Sequence, residues 1–170
     1  MIAVVAFGGG CQADLTDCNS ADFQKAFASV AQRIGYGCSS FWIGSVERFG
    51  DQDLMVELSV DLPTPVHAGL QFAARLTEGE TSGGYLDVTV GRDLGFCTSD
   101  VGEYVVQKHW RSTAGVVLVD VRKVQFRPGG PPVYTLVAAL EDVVITDGYA
   151  SCSMPAFSTM LTSVTTGDVD

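Results

Sequence analysis

Six residues, Arg127-Pro128-Gly129-Gly130-Pro131-Pro132, constrain what this chain can fold into more than any other stretch. Three prolines and two glycines in that space can continue neither a helix nor a central strand. A long arm flanks the break on each side, Ala114–Phe126 before it and Val133–Ile145 after it. Both arms are rich in Val, Leu, Tyr and Thr, which suit a pleated, half-buried surface. The arms are predicted to pair as a long β-hairpin on which the other strands are laid. Apolar residues fall on both sides of the first arm: Val117, Val119 and Val121 alternate with Val116, Leu118 and Asp120. This pair is therefore either covered on two faces or lines a pocket.

Elsewhere one helix stands out, over Asn19–Ile34. Asn19 or Ser20 can cap it, and Asp22 suits its first turn. Phe23, Phe27, Val30 and Ile34 make one apolar stripe, and Gly35 and Gly37 stop it. Beyond Ser39 the period switches to two. Strands are predicted over Ser39–Arg48, Asp53–Asp61, Gly69–Thr77, Tyr85–Val90, Glu103–Trp110 and Ala156–Thr165, besides the two arms. Phe49–Gln52 reads as a turn, and Pro63 and Pro65 break the sheet. About eight strands without crossover helices point to a mainly β fold. The expected architecture is an antiparallel β-sandwich with one N-terminal amphipathic helix, the alternative being a closed β-barrel. At 170 residues, 11–170 reads as one β-rich domain.

Twenty acidic against ten basic residues give a net charge of −10. Phosphate neutralisation needs clustered Lys and Arg, so nucleic acid is a poor partner. The same sign disfavours docking on anionic lipid through a basic patch. Charged residues make up only 18% of the chain and hydrophobic ones 46%, so the acidity does not signal a disordered tail.

The five cysteines, at 11, 18, 38, 97 and 152, are more informative. Their spacing contains no Cys-x-x-Cys and no nearby histidine, so a zinc site has no support. Spread through a strand-rich chain, they fit disulfides formed in an oxidising compartment. Four cysteines allow three connectivities. Loop positions favour Cys18 with Cys38 and Cys97 with Cys152, leaving Cys11 over. The second bridge would contribute about 3–5 kcal/mol in the chain-entropy picture.

The N-terminus runs from an apolar stretch, Met1–Phe7, through Gly8-Gly9-Gly10 to Cys11. It resembles the end of a bacterial lipoprotein signal, in which small residues precede a lipidated cysteine. With the strand and cysteine layout, the chain resembles uncharacterised bacterial envelope lipoproteins that carry one β-sandwich. The resemblance implies that 1–10 is a signal segment, that Cys11 bears a diacylglyceryl group, and that the domain sits at the cell envelope. Read without it, Ile2–Phe7 is a buried strand before a glycine turn, and Cys11 is disulfide-bonded or free.

Chemistry-bearing motifs are sparse. His67 and His109 are the two histidines, and a hydrolase would have to use one of them; no Gly-x-Ser-x-Gly elbow accompanies them. Glu57, Asp61, Asp87, Glu141 and Asp142 are candidate paired carboxylates. Asp51-Gln52-Asp53 and Asp168 with Asp170 are candidate calcium ligands, without the dense oxygen pattern of a calcium loop. Phe41-Trp42, Tyr104, Trp110, Tyr134 and Tyr149 could build an aromatic face. No cofactor is implied. The expected role is binding or structural, with the membrane reached through Cys11 and an envelope protein as partner. The runner-up is a carrier of a small apolar ligand, which requires a large interior cavity. An enzyme requires His109 in a pocket with a carboxylate in reach.

Overall fold

The structure is a computed structural model that describes residues 14–32, 36–37, 42–63, 65–77, 83–95, 104–126, 128–130 and 132–165. The order of elements is α1 (Ala21–Gln32), β1 (Tyr36–Gly37), β2 (Trp42–Phe49), β3 (Gln52–Val60), β4 (Gln71–Arg75), β5 (Gly84–Arg92), β6 (Val105–Gln125), β7 (Val133–Thr146), β8 (Ser151–Ser153) and β9 (Phe157–Thr165).

The two arms pair as expected. β6 and β7 run antiparallel from Gln125↔Val133 down to Arg111↔Thr146. Around this pair the strands form one sheet, in the order β4-β6-β5-β3-β2-β1-β9-β7-β8. β6 also pairs with β7, so the run β6-β5-β3-β2-β1-β9-β7 curls back to β6 as a half-barrel, held at β1 and β9 by a single register pair. Among the described residues all pairings are antiparallel except a single parallel register pair, Tyr36↔Ser163, between β1 and β9. The fold is thus mainly β, with one helix among the described residues, and its curvature lies between the sandwich and the barrel.

Glu103–Trp110 and Ala114–Phe126 are not separate strands; Val105–Gln125 is one 21-residue strand. It survives this length because it bends at register shifts near Thr113, Gly115 and Arg122. The first shift also swaps the inward set. Trp110 and Ser112 are buried before it, and Val117, Val119 and Val121 after it. β7 changes parity opposite: Leu136, Ala138 and Leu140 are buried, then Val143 and Ile145, with Asp142 at a φ of 53° in between.

The concave side is filled. Leu54, Val56, Leu58 and Val60 of β3 and Leu86, Val88 and Val90 of β5 turn inward. α1 packs against β2, β3 and β9. Ser20 caps it by accepting from the Phe23 N–H at 3.1 Å. Its buried face, Phe23, Ala26, Phe27, Val30 and Ala31, carries two rings into the core. Phe23 meets Trp110 edge-on at 5.0 Å, and Phe27 meets Phe157 at 5.7 Å. The helix ends at Gln32; Ile34, expected on its stripe, lies outside the described residues.

Cys18 and Cys152 are disulfide-bonded to each other, with Cα atoms 6.0 Å apart. This replaces the expected pairs Cys18–Cys38 and Cys97–Cys152. The chain before α1 runs beside β8, and Gln24 Nε2 reaches the Ser153 carbonyl at 3.4 Å. Cys38 and Cys97 lie outside the described residues, as do Cys11 and the stretch Ile2–Phe7.

Candidate binding face

The convex surface of the sheet is divided by chemistry. Over β5 and the first half of β6 it is polar. Asp87, only 7% exposed, accepts from Arg111 Nε and Nη2 at 2.8 Å each. His109 Nε2 stands 3.4 Å from Asp87 Oδ2. The Arg111 guanidinium lies 5.3 Å from the centre of the Tyr85 ring. Burial pushes the Asp87 carboxyl up, but the Arg111 bonds, then His109, outweigh it and hold it below the usual carboxylate range. His109 therefore does have a carboxylate beside it, as an enzyme reading required. That carboxylate is committed to a bidentate arginine on an open strand face, and the arrangement acts as a clip between β5 and β6. Glu57 is the register partner of Asp87 on β3.

The remaining polar candidates are also local. His67 is exposed, with Nδ1 3.1 Å from the neighbouring Ala68 carbonyl. Asp53 is buried and accepts from Arg48 Nε at 2.8 Å and the Leu94 N–H at 3.1 Å, which ties the β2–β3 turn to the end of β5. Asp51 and Asp61 are exposed, Glu141 and Asp142 sit at the β7 bulge, and Asp168 and Asp170 lie outside the described residues. Among the described residues no group of three His, Cys, Asp or Glu side chains could hold a metal ion. The candidate aromatic face does not assemble. Trp110 and Tyr134 are core residues, while Tyr104 and Tyr149 are exposed. Phe41 and the Trp42 side chain lie outside the described residues.

Over β4, the second half of β6, β7 and β9 the convex surface is mixed, with an apolar strip among polar side chains. The strand register sets Ala73, Leu118, Ala139 and Ser158 in one row and Gln71, Asp120, Val137 and Met160 in the next. Leu118 is 39% exposed and Met160 63%. Between the rows lies a groove of about 420 Å³ lined by Gln71, Phe72, Leu118, Val119, Asp120, Val137 and Ala139. Its polar rim is fixed: Gln71 Nε2 donates to Asp120 Oδ2 at 3.1 Å, and Arg122 Nη2 pairs with the same oxygen at 2.8 Å. The two-faced apolarity of Val116–Val121 signalled this surface in the sequence. The contributions of Gln71, Phe72 and Met160 carried no signal, because strand pairing brings them there.

No helix among the described residues is long and apolar enough to cross a membrane. No protein-family model, curated protein or solved structure matches the chain.

Proposed function

We propose that the protein is a disulfide-stabilised binding domain of the cell envelope, held there through a lipid on Cys11, and that it binds with its convex sheet face. The observation that carries the binding role is the apolar groove at Leu118, which sits on an otherwise ordered, hydrogen-bonded sheet. The concave side is occupied by Phe23, Phe27, Trp110 and the inward Leu and Val side chains, which leaves a carrier no apolar chamber among the described residues. The Cys18–Cys152 bridge favours an oxidising compartment.

A lipid on Cys11 would also orient the domain. Asp14 follows it by three residues, which span at most about 11 Å. Leu15 donates its N–H to Gln52 Oε1 at 3.4 Å, and Gln52 donates to Gln107 Oε1 at 2.7 Å. The β2–β3 turn and the start of β6 would then face the bilayer, and the groove would lie farther up the sheet.

The test is the intact mass, without reductant, of the protein recovered from membrane and soluble fractions of its own cells. The expected species begins at Cys11, is heavier by a lipid group, and contains the Cys18–Cys152 bridge. A soluble species that retains Met1 and five free thiols would overturn the compartment and the anchor together.

A further inference from the structure

We propose that β4 is a docking edge, to which an extended peptide segment of a partner adds as the next strand of the sheet. The inference rests on the binding reading above and gives it a site and a partner class. β4 is the terminal strand on its side of the sheet. Leu76 donates its N–H to the Gly115 carbonyl at 2.9 Å, and the register runs from Gln71↔Asp120 to Arg75↔Val116. Residues Phe72, Ala74 and Leu76 therefore exchange main-chain hydrogen bonds with β6, while Gln71, Ala73 and Arg75 aim their N–H and C=O groups the other way. Thr77, next in the outward series, donates to the Gly84 carbonyl on that far side, at 3.2 Å. Gly83 stands close to Arg75; a Cβ on it would come within 3.2 Å of the Arg75 carbonyl oxygen. The open part of the edge is thus Gln71–Ala73, where both outward residues are exposed and have no main-chain partner among the described residues.

The surroundings of this edge are shaped for a chain. Beyond it lies a groove of about 760 Å³, with Phe72–Arg75 on the near wall and Asp61, Leu62 and Pro63 on the far wall. On the convex side Gln71 and Phe72 also border the Leu118 groove. Edges are commonly guarded by lysine, proline or a bulge. Gln71-Phe72-Ala73-Ala74 has none of these within it.

Main-chain chemistry names the occupant. Donors and acceptors that alternate along an extended strand are matched by another extended main chain, and the adjoining grooves then take alternate side chains. The Asp61–Pro63 wall selects a free segment over a second copy. The β4 edge of a second copy would arrive with its own wall and its own β6, and a net charge of −10 on each molecule opposes the approach. A segment of about four residues, with apolar side chains on alternate positions and no proline where its N–H must pair, fits the slot.

The test selects phage-displayed random linear dodecapeptides against the full, oxidised chain, and compares the affinity of the selected peptides for the parent and for Ala73→Pro. Proline at 73 removes an outward donor that no bond to β6 uses, at an edge position that tolerates it. The expected result is an unchanged melt and binding weaker by about tenfold or more, the loss of one hydrogen bond. Amide exchange at Gln71 and Ala73 slows when peptide binds the parent, and N-methylation of alternate peptide residues abolishes binding. Peptides that bind both proteins equally, with exchange at Gln71 and Ala73 unchanged, would overturn this site and leave the binding reading standing. A library that yields no binder would overturn both. If Ala73→Pro does not fold, amide exchange and the N-methylated peptides on the parent decide the matter alone.

Discussion

Arg111 holds a buried charge on the sheet. Asp87 has lost most of its water, and its two oxygens have the guanidinium as their main compensation. Arg111→Met is expected to destabilise the fold by about 1–3 kcal/mol, read as a lower urea midpoint. Arg111→Lys should recover only part of the loss, because an ammonium cannot make both bonds in one plane. Gly115 is the other residue with a definable cost. Its φ is +138°, and an added Cβ would stand 3.0 Å from both Cα and Cγ2 of Val143. Gly129 also has a positive φ, of +74°, with nothing within 4 Å. Gly115→Ala is therefore expected to cost roughly 2–3 kcal/mol and Gly129→Ala about 1 kcal/mol, compared by thermal melting. Equal losses would mean that the bulge is not packed as tightly as this geometry requires.

At the scale of elements, the decisive feature is the tie between the N-terminal segment and β8. The Cys18–Cys152 bridge closes a loop with a sequence separation of 134. Beside it Gln24 Nε2 donates to the Cys18 carbonyl at 2.6 Å. In the chain-entropy picture the bridge contributes on the order of 4–5 kcal/mol, more than a bridge across α1 alone would. Replacing both Cys18 and Cys152 by Ser should lower the melting temperature of the oxidised protein by about 8–20 °C. A non-reduced peptide map should recover Cys18 linked to Cys152; recovery of Cys18 with Cys38 would refute this pairing. The tie also seats α1 on the concave side, where Phe23 and Phe27 complete the core.

For the molecule as a whole, stability should depend on pH at the acid end. The carboxyls of Asp53, Asp87 and Asp147 lie below their ordinary range. Burial opposes this at Asp53 and Asp87 but is outweighed by Arg48 and Arg111, and at Asp147 the Lys108 bond comes first. In acid the unfolded chain then binds more protons than the folded one. Their stabilisation is complete above about pH 4, the unfolded value, and is lost as pH falls through the lower folded values. Urea midpoints at pH 6 and pH 3 should show the loss, and Arg111→Met should shrink it. Leu118→Lys is expected to change stability by less than about 0.5 kcal/mol, since the side chain is already half in water, and to weaken peptides selected on the parent. The features legible from the residues alone were local. The Arg127–Pro132 break, the period of two in β3 and β5, and the cap and stripe of α1 are written in neighbouring residues, because turn chemistry and side-chain alternation act over a few positions. Long-range pairing set which main-chain groups of β4 have no partner among the described residues, where β6 and β7 change parity, and which cysteine Cys18 meets. Those outcomes depend on partners far away in sequence: the bulges at Thr113 and Asp142 arise only once β6 and β7 are in register, and Cys152 reaches Cys18 only because β7 turns back into β8 beside the start of the helix.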